Sequence, residues 1–74
     1  MAHVINNTRR LREAAGLTQE LLGHRANVSR QTINAIEAGR YKPSIMLALK
    51  LAKVFAVPVE YIFELEPGDW DGIE

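Results

Sequence analysis

Thr18-Gln19-Glu20-Leu21-Leu22-Gly23-His24-Arg25-Ala26, then Asn27-Val28-Ser29, then Arg30-Gln31-Thr32-Ile33-Asn34-Ala35-Ile36-Glu37 run on without a break and read as a helix, a three-residue turn and a second helix. Thr18 suits an N-cap, because its hydroxyl can accept from an orphan backbone N–H of the first turn, and Glu20 in that turn favours the positive end of the helix dipole. Leu21, Leu22 and Ala26 are expected to face inward. Asn27 ends the helix, since among residues with a β-carbon asparagine tolerates positive φ best. Ser29 caps the next helix, where Ile33 and Ile36 recur at an i, i+3 spacing on the buried side.

So short a turn forces the two helices to cross at a large angle, which is helix-turn-helix geometry. With Ile33 and Ile36 inward, Arg30, Gln31, Thr32 and Asn34 point outward near the start of the second helix. Their chemistry fits base edges in the major groove. Gln and Asn can read adenine and Arg can read guanine through paired hydrogen bonds, each good pair giving about 1–3 kcal/mol of discrimination. A polar helix face that only meets water is the commoner case, and spacing alone leaves both readings open.

Working outward, Val4, Thr8, Leu11 and Ala15 predict a first helix of about ten residues that turns Arg9, Arg10 and Glu13 to solvent and stops at Gly16. Gly39 ends the third helix. Pro43-Ser44 opens a fourth, with Ile45, Ala48, Leu49, Ala52 and Phe55 on one stripe, Leu51 beside them, and Lys50 and Lys53 off it. Pro58 starts a short fifth helix whose apolar face is Val59, Ile62 and Phe63. Strand signals are nearly absent, so the expectation is an all-α, compact five-helix domain over residues 1–65. Residues 66–74, Glu-Pro-Gly-Asp-Trp-Asp-Gly-Ile-Glu, are acidic and rich in helix breakers and read as a mostly disordered tail.

A chain of 74 residues has room for one core. It has no cysteine, which removes disulfides and thiolate metal sites and leaves self-association as the expected support for a small domain. No apolar run approaches the roughly 20 residues needed to span a bilayer, and the first residues lack the pattern of a secretory signal. A soluble, cytoplasmic protein with no membrane association is expected. The formal net charge is zero, yet the charges are segregated. Residues 1–53 carry all nine basic side chains against three acids, and residues 54–74 carry six acids and no base. A basic body with an acidic end fits a domain that offers one face to phosphates.

The run Leu17-Thr18-Gln19-Glu20-Leu21-Leu22, then Val28-Ser29-Arg30-Gln31-Thr32-Ile33, then Ile36-Glu37-Ala38-Gly39-Arg40-Tyr41-Lys42-Pro43-Ser44 closely resembles the Cro/CI-type, or XRE-type, helix-turn-helix family. Leu47-Ala48-Leu49-Lys50-Leu51-Ala52 and Val57-Pro58-Val59-Glu60-Tyr61-Ile62-Phe63 match it as well, so the likeness spans about residues 5–65. The resemblance implies a lambda-repressor-like fold and sequence-specific binding of double-stranded DNA. It implies base contacts from Ser29, Arg30, Gln31 and Asn34, and backbone contacts from Thr18, Gln19, Thr32, Arg40, Tyr41 and Lys42. Gln19 inherits a second task, bracing the third helix. Arg12 and Glu37 fall where the family often has an internal ion pair, which gives Glu37 a structural role. Three positions depart from the pattern: Gly23 for the usual alanine, Ala26 for leucine and Asn27 for glycine. The first lowers helix propensity by roughly 1 kcal/mol, and together they suggest a somewhat less stable motif.

His3 and His24 have no second ligand at metal-binding spacing and are expected on the surface, and no residue constellation suggests catalysis, a cofactor or a metal. Two functional readings follow. The first is a transcriptional regulator binding a palindromic operator as a homodimer, with Tyr61, Phe63, Leu65 and Trp70 as interface candidates. The alternative is a protein-interaction module, such as an antitoxin or bridging cofactor, that binds a partner protein through its acidic tail.

Overall fold

The computed structural model describes residues 4–70, and side chains as far as residue 68. Four α-helices form the body: α1 (Thr8–Ala14), α2 (Gln19–Ala26), α3 (Arg30–Glu37) and α4 (Ile45–Phe55). Two three-residue strands, β1 (Val4–Asn6) and β2 (Phe63–Leu65), pair antiparallel with Val4 opposite Leu65 and Asn6 opposite Phe63. Single 3-10 turns at Val59–Tyr61 and Pro67–Trp70 flank β2.

Local signals set the helix boundaries. Thr18, Ser29 and Ser44 each hold extended backbone and accept a hydrogen bond three residues on, from the N–H groups of Leu21, Thr32 and Leu47 at 3.0, 3.1 and 3.1 Å. Asn27 closes α2 in the left-handed conformation at φ 61°. Gly39, at φ 76°, closes α3 through two bonds, its own N–H to Ile36 and the Arg40 N–H to Ala35, which is a Schellman closure. The core consists of Leu17, Leu22, Ala26, Ile33, Ile36, Leu47, Leu51 and Ile62. It draws on all three helices α2–α4 and fixes α3 from beneath.

The structure corrects the all-α, five-helix expectation in four places. Val4 does not belong to the first helix. It lies on β1, and α1 starts only at Thr8. The expected fifth helix is one 3-10 turn, after which Phe63 enters β2. The reason is pairing: each strand is too short to show alternation, and neither could be stable without the other, which lies almost the whole chain away. On α4 the buried stripe is Leu47 and Leu51, whereas Ile45 and Leu49 are 81% and 56% exposed. That helix is apolar on more than one side, so periodicity could not select the face. Leu21, expected inward, is exposed, because Leu22 and Ala26 define the buried face of α2. In the acidic segment, the Pro67–Trp70 turn is described, and residues 71–74 lie outside the described residues.

The N-terminal asparagines tie the chain ends to the helices. Asn6 accepts from the Thr8 N–H at 2.9 Å and donates to the Ile36 carbonyl at 2.5 Å, while the Asn7 N–H donates to the Ile62 carbonyl at 2.8 Å. The bond to Ile36 ties the junction of β1 and α1 to the C-terminal end of α3, and the bond to Ile62 ties it to the segment that leads into β2. Among the described residues, no helix is long and apolar enough to cross a membrane.

Candidate nucleic-acid interface

The Asn27-Val28-Ser29 turn works because of Gly23. A β-carbon there would stand 2.7 Å from the Val28 carbonyl oxygen and 3.3 Å from the Ser29 carbonyl group. Without it, the Val28 N–H reaches the Gly23 carbonyl at 2.8 Å and the chain turns directly into α3. Glycine is therefore part of the turn's construction and not merely a weaker helix former.

Ile33 and Ile36 are fully buried, which orients α3 about its axis. Arg30, Gln31 and Asn34 are consequently exposed, Thr32 is half-buried, and Ser29 is exposed at the cap. The hydroxyls of Ser29 and Thr32 lie 3.0 Å apart and bond each other. Thr18 is exposed at the start of α2, and Arg40, Tyr41 and Lys42 are exposed just after α3.

A hydrogen-bonded relay runs through five side chains, two of them, Asn34 and Arg40, from this surface. The Arg12 guanidinium donates to both oxygens of Glu37, from Nε at 2.6 Å and Nη2 at 3.3 Å, and its Nη1 donates to the Leu17 carbonyl at 2.8 Å. Side-chain exposure is only 12% for Arg12 and 4% for Glu37. The bond to Glu37 raises the Arg12 pKa above its ordinary value, with the charges of Glu37 and Glu13 adding and desolvation opposing. Glu37 also accepts from Gln19 Nε2 at 3.0 Å. Gln19 Oε1 accepts from Asn34 Nδ2 at 3.4 Å, and Asn34 Oδ1 accepts from Arg40 Nη2 at 3.1 Å. The direction of this relay is fixed at its buried end: an ionised carboxylate can only accept, so each amide must turn its NH2 inward and its oxygen outward.

Of the residues singled out in the sequence, the structure thus brings Arg12, Glu37, Gln19, Asn34 and Arg40 together. Thr18 stands apart at the α2 N-terminus, occupied in capping. Tyr41 and Lys42 line a different feature, an apolar groove of about 430 Å3 shared with Val4, Pro43, Ile45 and Phe63. Tyr61 and Leu65 are exposed at 62% and 39%, Phe63 is half-buried, and the Trp70 side chain lies outside the described residues. Sequence reasoning missed Arg9. It borders a polar recess of about 270 Å3 together with Arg12, Gln19, Asn34 and Glu37, and it pairs with Glu13 at 3.3 Å. Its outward position on α1 was legible, but its closeness to α3 is a tertiary fact. The sequence also gave no sign that Asn34 and Arg40 meet.

A helix-turn-helix family model matches residues 9–62. The chain is 48% identical over 61 residues to the uncharacterized HTH-type transcriptional regulator YgzD of Bacillus subtilis, covering 82% of this chain and 92% of the relative. A second uncharacterized HTH-type regulator, from Methanocaldococcus jannaschii, is 51% identical over 61 residues with the same two coverages. Among solved structures, the restriction-modification controller protein C.AhdI from Aeromonas hydrophila superposes with a TM-score of 0.69 at 31% identity, over 73% of this chain and 78% of that one. The hypothetical transcription factor NHTF from Neisseria shares the fold, with a TM-score of 0.72 at 24% identity over 92% of this chain and 77% of that one. With its two capped helices, three-residue turn and family match over most of its length, the chain belongs to the XRE-type helix-turn-helix family of DNA-binding transcriptional regulators.

Proposed function

We propose that this protein is a sequence-specific double-stranded-DNA-binding regulator that acts as a homodimer on an approximately palindromic operator. One observation carries the reading: α3 buries Ile33 and Ile36 completely while Arg30, Gln31 and Asn34 remain exposed on the same helix. Arg30 and Gln31, flanked by Ser29, enter the major groove and read base edges. Thr18, Gln19, Thr32, Arg40, Tyr41 and Lys42 lie along the adjoining phosphates, where cations and polar groups fix register without reading sequence.

Two copies are needed because one short recognition helix touches only a few base pairs. Two helices about 34 Å apart enter successive major grooves on one side of the duplex. Exposed apolar side chains support self-association. Tyr61 and Leu65 supply part of the contact, and Ile45, Met46 and Leu49 on α4 add an apolar surface larger than the sequence had suggested.

Selection of bound duplexes from a random pool, followed by sedimentation of the complex, tests the reading. The expected outcome is two half-sites related by a dyad, with centres one helical turn apart and two chains per duplex. An enriched pool without dyad symmetry, or no enrichment at all, would refute it.

A further inference from the structure

We propose that Asn34 is a positioning residue that holds Gln19 and Arg40 against the DNA backbone, and is not itself a reader of bases; the inference rests on the DNA-binding reading above. Asparagine reads adenine by presenting one donor and one acceptor together. Here the two ends of the Asn34 amide already have partners on opposite sides, Nδ2 giving to Gln19 and Oδ1 accepting from Arg40. Turning the amide to face a base would break one of these bonds or both.

The arrangement has a consistent purpose. Glu37 anchors Gln19 at the buried end of the relay, and the Schellman closure at Gly39 fixes the Arg40 backbone. What remains free is the long Arg40 side chain, which costs conformational entropy to hold in one rotamer. Asn34 bonds one of its five N–H groups and leaves the others for a phosphate. Gln19 likewise keeps a second N–H on Nε2 after its bond to Glu37. Asn34 therefore spans from the start of α2 to the loop after α3, so that two groups bordering the recognition helix are set before DNA arrives. Arg30 and Gln31 take no part in the relay, which leaves sequence reading to them.

The test compares the parent with Asn34→Ala, Arg40→Ala, the double variant and Gln31→Ala, by binding titration on the selected duplex and on its single-base variants. Asn34→Ala and Arg40→Ala should each weaken binding about three- to tenfold on every duplex, as expected for the net loss of one solvent-exposed hydrogen bond. The double variant should bind more tightly than the product of the two single losses predicts, since Asn34 acts in part through Arg40, and what it loses beyond Arg40→Ala is the share carried by Gln19. The order of preference among duplexes should stay that of the parent in all three, while Gln31→Ala alters it. In the DNA-free protein, Asn34→Ala should shift the Gln19 side-chain amide signals in NMR while Tm stays unchanged, a response that general destabilisation would not give. If Asn34→Ala relaxes preference at a single base pair, or if its loss multiplies in full with that of Arg40→Ala, the positioning role is overturned and the functional reading stands. If the parent itself binds no duplex, both fall together.

Discussion

Arg12 and Glu37, 25 residues apart in sequence, form a two-pronged ion pair at 2.6 and 3.3 Å that joins α1 to α3 and is almost wholly shielded from water. Such pairs are expensive to break and cheap to replace. Removing one partner strands a buried charge at a cost of about 3–5 kcal/mol, whereas apolar side chains of similar volume in both places are often neutral or better. Arg12→Ala should therefore lower stability by about 3 kcal/mol in urea denaturation, and Arg12→Met with Glu37→Leu should recover most of it. DNA binding should not recover in the double variant, because Gln19 has lost its acceptor. Equal affinity in the recovered variant and the parent would show that the pair serves stability alone. The Arg12 pKa is already high and the pairing raises it further, so Arg12 keeps its charge through the neutral range and gives up its share of the pairing only as the pH rises above that ordinary value.

Gly23 makes a prediction opposite in sign to helix propensity. Propensity alone gives Gly23→Ala a gain of about 1 kcal/mol. The added β-carbon would stand 2.7 Å from the Val28 carbonyl oxygen, which is backbone and cannot swing away like a side-chain tip. Displacing the turn costs about 1–3 kcal/mol, as other overpacked sites do. A net loss of about 1 kcal/mol is expected in chemical denaturation. A rise in the unfolding midpoint would mean that the turn yields more easily than its contacts suggest.

Ala56 is the mirror case. It ends α4 at φ 57° and ψ 41°, a left-handed conformation that disfavours any β-carbon by about 1–2 kcal/mol. Glycine removes that penalty and returns roughly 0.5–1 kcal/mol of it as extra freedom in the unfolded chain. The side chain is exposed, so little packing is lost. Ala56→Gly should raise stability by about 0.5–1 kcal/mol, seen as a Tm several degrees higher. A lower Tm would indicate that the helix end readjusts to suit alanine.

What the sequence made legible was chemistry confined to a few adjacent residues. Thr18, Ser29 and Ser44 act as caps, Asn27 and Gly39 take positive φ, and Ile33 and Ile36 are buried, each for reasons visible within a turn or two of helix. The Arg12–Glu37 pair was legible only through family resemblance. Nothing local announced that Val4–Asn6 and Phe63–Leu65 would pair, since three residues cannot display a period and the partner strand lies at the other end of the chain. The α4 face was misjudged for a related reason: Ile45, Leu47, Leu49 and Leu51 are all apolar, and only the neighbouring helices decide that 47 and 51 are covered. The contact between Asn34 and Arg40 depends on how the chain folds back after Gly39, which side-chain chemistry alone does not encode.

Lys42 and Gln31 separate the two components of the proposed interface. Lys42 is an exposed cation beyond the end of α3; in the proposed interface it meets a phosphate whatever the base sequence, so its contribution would come from releasing a condensed counterion. Lys42→Ala should weaken binding to all duplexes by a similar factor and reduce the slope of log K against log salt by about 1.8, twice the value for one phosphate contact on B-DNA, because each of the two copies loses one. Gln31 is an uncharged side chain on the exposed face of α3, and its loss removes no counterion effect. Gln31→Ala should leave the salt slope unchanged, cost about 1–3 kcal/mol on the preferred duplex, and cost little on duplexes already altered at the base pair it reads. Titrations at four or more salt concentrations on both kinds of duplex measure slope and preference together. If the Gln31 variant loses slope, or the Lys42 variant loses preference at one position, then α3 lies in the groove in an orientation other than the one its buried isoleucines imply.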